Sequence, residues 1–205
     1  MKFTIVAGAP NQDPQFLKNN VDLDSFIIAA DSGYMTCKIA GIVPNLIIGD
    51  FDSSKKPWND VNILQLPSIK NDTDTFYCIK EAVKRKANEI EIFCALGGRT
   101  DHEFSNILNL EYCLENNVKA SIISEKSVIS VHNKDFKISK GEYKYFSLFA
   151  IGGSVSGLSI KGAAYELEDF TLSPYASIGQ SNEFKNNTVS IEFKNGVLLL
   201  ILSND

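Results

Sequence analysis

The chain has 205 residues, enough for one large domain or two small ones that bury a core without disulfide or metal staples. Its 44% hydrophobic and 22% charged residues are the composition of a packed globular protein and exclude a disordered one. With 20 Lys and Arg against 25 Asp and Glu, the net charge of −5 argues against a broad basic face, so no nucleic-acid partner is expected and any phosphate must be met locally.

In chain order, the first half alternates short apolar runs with helix-like segments. FTIVAG (3–8), SFIIAAD (25–31), NLIIGD (45–50), NILQLP (62–67) and EIEIFCALGG (89–98) are nearly continuous in Val, Ile, Leu and Phe, which predicts strands buried on both faces. Between them, residues 32–41, 73–89 and 101–117 read as helices. The second offers Phe76, Ile79 and Val83 as an apolar stripe, and the third offers Phe104, Ile107, Leu108 and Leu114. This alternation predicts a parallel sheet with helices packed on it, completed by a strand at 119–125. Beyond residue 127 the runs are short, β-branched or aromatic and separated by Gly, Asn or Ser, as in an antiparallel sandwich or barrel. Residues 144–150 and 154–160 are expected as two strands there, and Asn195-Gly196 as a type I′ hairpin turn joining 188–193 to 197–203. The expected division is an α/β domain over 1–126 and a β domain over 127–205.

Cys37, Cys78, Cys94 and Cys113 are widely spaced, without a C-x-x-C or a His at metal spacing, and are expected to be small buried residues in a reducing compartment. The longest apolar stretch, residues 197–202, is far below the roughly 20 residues of a membrane-spanning helix. The initial apolar run stops at Pro10, too short for a secretion signal. A cytoplasmic protein without a membrane partner is therefore expected.

Chemistry concentrates in the aspartates of the first half. Asp31, Asp50, Asp52, Asp72, Asp74 and Asp101 each follow a predicted strand, so in a parallel sheet they share the edge where ligands bind. Like charges crowded this way raise one another's pKa and ask for a divalent cation. Asp50 and Asp52 are i and i+2, so in an extended segment both point the same way, about 6.6 Å apart. The alternative is a polar turn with Asp52 or Ser53 as a helix N-cap. Asp72-Thr73-Asp74 opens a helix, and capping is compatible there with metal binding. Gly97-Gly98-Arg99-Thr100-Asp101-His102 joins a strand to a helix start. Its glycines, helix N-terminus and planar guanidinium suit a phosphate, against the plainer reading of a tight turn capped by Asp101. His102 either orients Asp101 or a phosphate, or is structural. Acids and a phosphate cradle without Cys or His ligands favour Mg²⁺ and a nucleotide over zinc. No P-loop or protein-kinase signature is present.

Ala30-Asp31-Ser32-Gly33, Pro44-Asn45-Leu46-Ile47-Ile48-Gly49-Asp50-Phe51-Asp52-Ser53, Thr73-Asp74, Gly97-Gly98-Arg99-Thr100-Asp101-His102 with Asn106, and Ser181-Asn182-Glu183 occur in the order and at about the spacing of thiamine pyrophosphokinases, which the chain resembles over nearly its whole length. The resemblance implies a Rossmann-like nucleotide domain followed by an antiparallel β-sandwich that helps bind thiamine, in a homodimer. It implies Mg²⁺-dependent transfer of the pyrophosphoryl group of ATP to the hydroxyl of thiamine. It further implies Asp50, Asp52 and Asp74 around Mg²⁺ and the reacting groups and Asp31 nearby. Asp31, Thr73, Arg99, Asp101 and His102 would sit toward the nucleotide, with Asp101 also counted among the catalytic acids, and Ser181 and Asn182 toward thiamine. The chain departs from the family pattern at Asn71-Asp72, at Ser32 and at Gly162-Ala163-Ala164-Tyr165-Glu166-Leu167. A Mg²⁺-dependent phosphohydrolase and a non-catalytic nucleotide or metal sensor are the competing readings.

Overall fold

A computed structural model describes residues 1–51 and 61–204, so the expectations for Asp52 and Ser53 fall outside the described residues. The chain divides into two compact units, Met1–Glu125 and Lys126–Asp205. Together they make a mixed α/β protein with a large β-sheet.

The first unit contains β1 (Lys2–Val6), α1 (Pro14–Asn20), β2 (Phe26–Ala30), α2 (Gly33–Ala40), β3 (Leu46–Gly49), β4 (Ile63–Gln65), α3 (Asp74–Lys84), β5 (Glu89–Phe93), α4 (Thr100–Glu115) and β6 (Lys119–Ile123). Among the described residues its strands run in the order β4-β3-β2-β1-β5-β6, and every neighbouring pair is parallel. The apolar runs explain this: Phe3, Ile5, Ile28, Ile47, Ile48, Ile90 and Ile92 are fully buried, as a strand covered on both faces requires. From β1 the chain steps outward to β2, β3 and β4, then returns to the other side of β1 to lay down β5 and β6. The strand order thus reverses between β1 and β5, and a crevice lies at the carboxyl ends of these two strands, bordered by the loops that follow them. Gly33 begins α2 beneath that crevice, where a Cβ would sit 2.7 Å from the Ala7 carbonyl oxygen, so only glycine lets the helix start so close to β1.

Two expectations fail in this unit. β4 is the edge strand, with Ile63 and Leu64 each 42% exposed, not a strand covered on both faces. On α4 the buried positions are Asn106, Leu110 and Cys113, whereas Phe104 and Leu108 face outward. The buried Asn106 amide is satisfied, its Nδ2 donating to the Ala95 carbonyl at 2.9 Å, which ties α4 to the segment just past β5. On α3 the buried set is Thr75, Cys78, Ile79 and Ala82, and Phe76 meets Tyr112 of α4 edge-on at 5.0 Å. All four cysteines are free and buried. Burial pushes the Cys37 and Cys113 thiols up to about 12, which leaves them protonated and inert.

The second unit contains β7 (Ser127–His132), β8 (Phe136–Ser139), β9 (Tyr145–Lys161), β10 (Leu167–Leu172), β11 (Asn182–Glu183), β12 (Thr188–Glu192) and β13 (Asn195–Ser203), with every described pairing antiparallel. The two strands expected around Gly152-Gly153 are one 17-residue strand, because Gly152 and Gly157 absorb the bend at positive φ without ending it. The first half of β9 pairs with β13 and its last part with β12 and β10. The expected hairpin at Asn195-Gly196 is overturned by the same geometry: β12 and β13 pair with different stretches of β9 and not with each other. Asn195 is not at positive φ, and Gly196 (φ 109) lies where a Cβ would meet Val155 Cγ2 at 2.8 Å. Glycine is required there by the close approach of two backbones, not by a type I′ turn. Phe146, Leu148, Leu198 and Leu200 share one apolar core with Leu158, Ile160, Val189 and Ile191.

His132, near the end of β7, stacks on Phe136 at 3.8 Å, with Nε2 2.9 Å from Ser130 Oγ. Burial lowers its pKa from 6.5 to about 4. The folded protein keeps this imidazole neutral while the unfolded chain takes up a proton, so stability is flat above pH 6.5 and falls as the pH drops toward 4. The share from this residue is at most about 3 kcal/mol. His132→Gln is expected to shrink the fall in Tm between neutral pH and the bottom of that window. An acid limb identical to the parent's would show that His132 does not carry it.

Candidate active site

The crevice after β1 and β5 holds a cavity of about 490 Å³ lined by residues of the first unit. Its walls are residues 7–10, Asp31 and Ser32 at the start of α2, Lys70, Thr73 to Thr75 at the start of α3, and Gly98, Arg99, His102 and Glu103 at the start of α4. The first turns of three helices thus meet at one space, each adding unpaired N–H groups and partial positive charge. Thr73 caps α3, its Oγ1 accepting from Phe76 N at 3.2 Å, which sets Asp74 in the first turn.

Asp50, just past β3, and Asp74 are joined by Lys70. The Lys70 ammonium donates to Asp50 Oδ2 in a close ion pair and lies 2.9 Å from Asp74 Oδ1. Asp74 Oδ1 is buried and has this ion pair but no well-directed hydrogen bond. Burial raises the Asp74 pKa, Lys70 partly offsets that, and the Asp50 and Asp31 carboxylates add to the rise. For Lys70, burial works to lower the pKa, but its bonds to Asp50 and Asp74 prevail and it stays raised and charged. Asp31 and Phe51 both lie in the left-handed region, at φ 40 and 55. Phe51 therefore ends the extended run that follows β3.

The five described acids of those expected on one rim separate. Asp31 and Asp50 are each close enough to repel Asp74, whereas Asp72 turns to Lys80 at 2.6 Å. Asp101 turns to Arg99, its carboxylate taking both Nε and Nη2 at 3.1 and 2.6 Å in an exposed fork. The hydrogen bonds from Arg99 hold the Asp101 carboxyl below the usual carboxylate range. Asp101 is not the helix cap, since Arg99 occupies that position. Beneath this pair, Gly97 N and Gly98 N converge on a single carboxylate oxygen, Glu103 Oε1, at 2.9 and 2.8 Å. The glycine turn is thus an anion-binding nest, filled in this state by the protein's own carboxylate. His102 lines the cavity beside Arg99.

In the second unit, Ser181 adopts the left-handed conformation (φ 54) and its N–H donates to Ser147 Oγ at 3.0 Å. Asn182 is 3% exposed and its amide is committed to the chain: Oδ1 accepts from Tyr165 N at 3.0 Å and Nδ2 donates to Tyr165 O at 2.7 Å. Glu166 Oε1 accepts from Gly162 N at 2.7 Å, closing the same loop. Tyr165 stands 69% exposed on it.

Two family models match this chain: thiamin pyrophosphokinase, catalytic domain, over residues 17–122, and thiamin pyrophosphokinase, vitamin B1 binding domain, over residues 133–198. The chain belongs to the thiamin pyrophosphokinase family. It is 28% identical over 209 residues to thiamine pyrophosphokinase of Bacillus subtilis (strain 168), with 98% of each chain covered. Among solved structures, a thiamine pyrophosphokinase from Bacillus subtilis superposes with a TM-score of 0.91 at 26% identity over 100% of both chains. One from Geobacillus thermodenitrificans superposes with a TM-score of 0.88 at 27% identity, over 100% of this chain and 98% of that one. As a thiamin pyrophosphokinase the chain is a diphosphotransferase of thiamine diphosphate biosynthesis. Among the described residues no helix is long and apolar enough to cross a membrane.

Sequence reasoning gave no role to Lys70 or to Glu103. Lys70 was findable from its i, i+4 spacing to Asp74 on the approach to a helix, whereas Glu103 becomes meaningful only when the turn folds back on it.

Proposed function

We propose that this thiamin pyrophosphokinase transfers the pyrophosphoryl group of ATP to the hydroxyl of thiamine in a Mg²⁺-dependent reaction at the cavity between β1 and β5, releasing AMP. The observation that carries this reading is the two kinds of charge at the cavity: three helix N-termini and a glycine nest, beside the Asp31 and Asp74 carboxylates with Asp50 joined to Asp74 through Lys70. The first set suits phosphate oxygens and the second a hard cation.

The acids fit Mg²⁺, because Asp50 and Asp74 already converge on one cationic atom, the Lys70 nitrogen, and Asp74 Oδ1 is buried without a directed hydrogen bond. Among the described residues no three His, Cys, Asp or Glu side chains are grouped to hold a metal alone, which suits an ion that completes its shell with water and phosphate oxygens. Asp50 and Asp74 would hold it, with Asp52 from outside the described residues. Bound there, Mg²⁺ supplies charge neutralisation on the phosphates. Arg99, released from Asp101, reaches the phosphates with a planar fork, and Thr73 and His102 offer donors at the mouth. One of Asp50, Asp52 and Asp74 orients or accepts the proton of the substrate hydroxyl.

In this reading residues 1–126 form a Rossmann-like nucleotide domain and residues 127–205 a β-sandwich that presents thiamine through Ser181 and the loop held by Asn182. The enzyme works as a cytoplasmic homodimer. Purified protein is expected to release AMP from ATP only when both Mg²⁺ and thiamine are present, with thiamine diphosphate as the second product. Folded protein that yields free phosphate, or no AMP, under those conditions would overturn the reading.

A further inference from the structure

The Lys70 ammonium occupies a place that a mere surface cation would not. Its side chain and that of Asp50 are each 10% accessible, and that of Asp74 is 21% accessible. Asp50 follows β3 and Asp74 opens α3, so the two acids approach from separate elements, and Asp31 adds its own repulsion at Asp74. Without a cation the three carboxylates would face one another in a partly dehydrated space.

We propose that Lys70 is a resident counterion that holds Asp50 and Asp74 together in the metal-free enzyme and is displaced from them when the divalent cation binds. The inference rests on the assignment of Asp50 and Asp74 as metal ligands above. Its physical basis is that the ammonium and the metal need the same acceptor oxygens. An ammonium satisfies two carboxylates at hydrogen-bond distance, whereas Mg²⁺ demands oxygens at about 2.0–2.1 Å in octahedral array. Both cations on one pair of oxygens would repel each other across a few ångströms. The four-carbon stem of lysine lets the ammonium swing aside without moving the backbone, which a shorter or more rigid cation could not do. Lys70 thereby keeps the acids apposed for the metal, and competition from it makes metal binding weaker in the absence of nucleotide.

The test uses Mn²⁺ alone as the spin probe, without nucleotide, together with thermal unfolding in EDTA and in Mg²⁺. Lys70→Met keeps the stem and removes the charge. It is expected to unfold at a lower temperature than the parent in EDTA, to recover in Mg²⁺ by more than the parent does, and to bind Mn²⁺ about tenfold more tightly, the scale of one charge at hydrogen-bond range. Lys70→Arg, whose wide planar fork grips both carboxylates and yields less easily, is expected to bind Mn²⁺ no more tightly than the parent. Equal Mn²⁺ affinity in the parent and Lys70→Met, with Mg²⁺ shifting both melting curves alike, would overturn the exchange and leave the metal assignment standing. Failure of every protein to bind Mn²⁺ would overturn both.

Discussion

Asp74→Asn is expected to lower kcat by roughly 10²–10³-fold, the scale seen when one charge-stabilising group is removed from a reacting site. Its effect on folding is expected to be small, for a reason visible in the site. The Asp74 pKa is raised by burial and by Asp50 and Asp31, so the ionised carboxylate is less welcome in the folded state than in the unfolded chain. Stability from this group is therefore present at low pH and lost as pH rises through its pKa, and at neutral pH the charge costs stability. An uncharged isostere removes that cost and gives up the attraction to Lys70, which retains Asp50 as a partner. The favourable position of an acid in the first turn of α3 contributes about 0.3–1 kcal/mol in the other direction. The net change is expected within about 1 kcal/mol, or a few degrees in Tm. Parent-like turnover in the mutant, measured as AMP formed with saturating thiamine, would remove Asp74 from the reacting centre.

Asn182→Ala is expected to act on the other substrate and on the fold together. The buried amide holds both polar groups of the Tyr165 backbone, and truncation leaves them without that partner, at about 1–3 kcal/mol each. Tm is expected to fall by roughly 5–10 °C. Because the loop carrying exposed Tyr165 and the Ser181 turn then loses its shape, the KM for thiamine is expected to rise at least about tenfold, with little change in the KM for ATP. Steady-state kinetics with each substrate varied in turn would decide this. An equal rise in both constants would mean that the loop does not serve thiamine in particular. The Asn182 amide faces the chain, in contrast to Ser181, which is exposed.

Much of the parallel sheet was legible because a strand covered on both faces has to be apolar at consecutive positions, and β1, β2, β3 and β5 are. Helix faces were less legible. On α4 the buried positions include Asn106, whose partner, the Ala95 carbonyl, only the fold brings within reach, while Phe104 and Leu108 of the expected stripe face outward. The aspartates were visible as an acidic rim, but which of them share a space was not. Asp72 and Asp101 have local cations at Lys80 and Arg99, and such pairing depends on side-chain direction, which residue spacing along the chain does not encode.

Residue types and their order were sufficient to establish a parallel α/β half, a β-rich half, an acid-rich strand edge and the motifs that resemble thiamine pyrophosphokinases. Tertiary structure alone decided that the cavity opens beyond the carboxyl ends of β1 and β5, that Lys70 bridges Asp50 and Asp74, that Glu103 fills the glycine nest, and that Asn195-Gly196 runs on alongside β9 instead of turning a hairpin. The division has one physical cause. Apolar periodicity and turn chemistry are local properties of the backbone, whereas ion pairs and close backbone approaches form between segments that only the folded chain brings together.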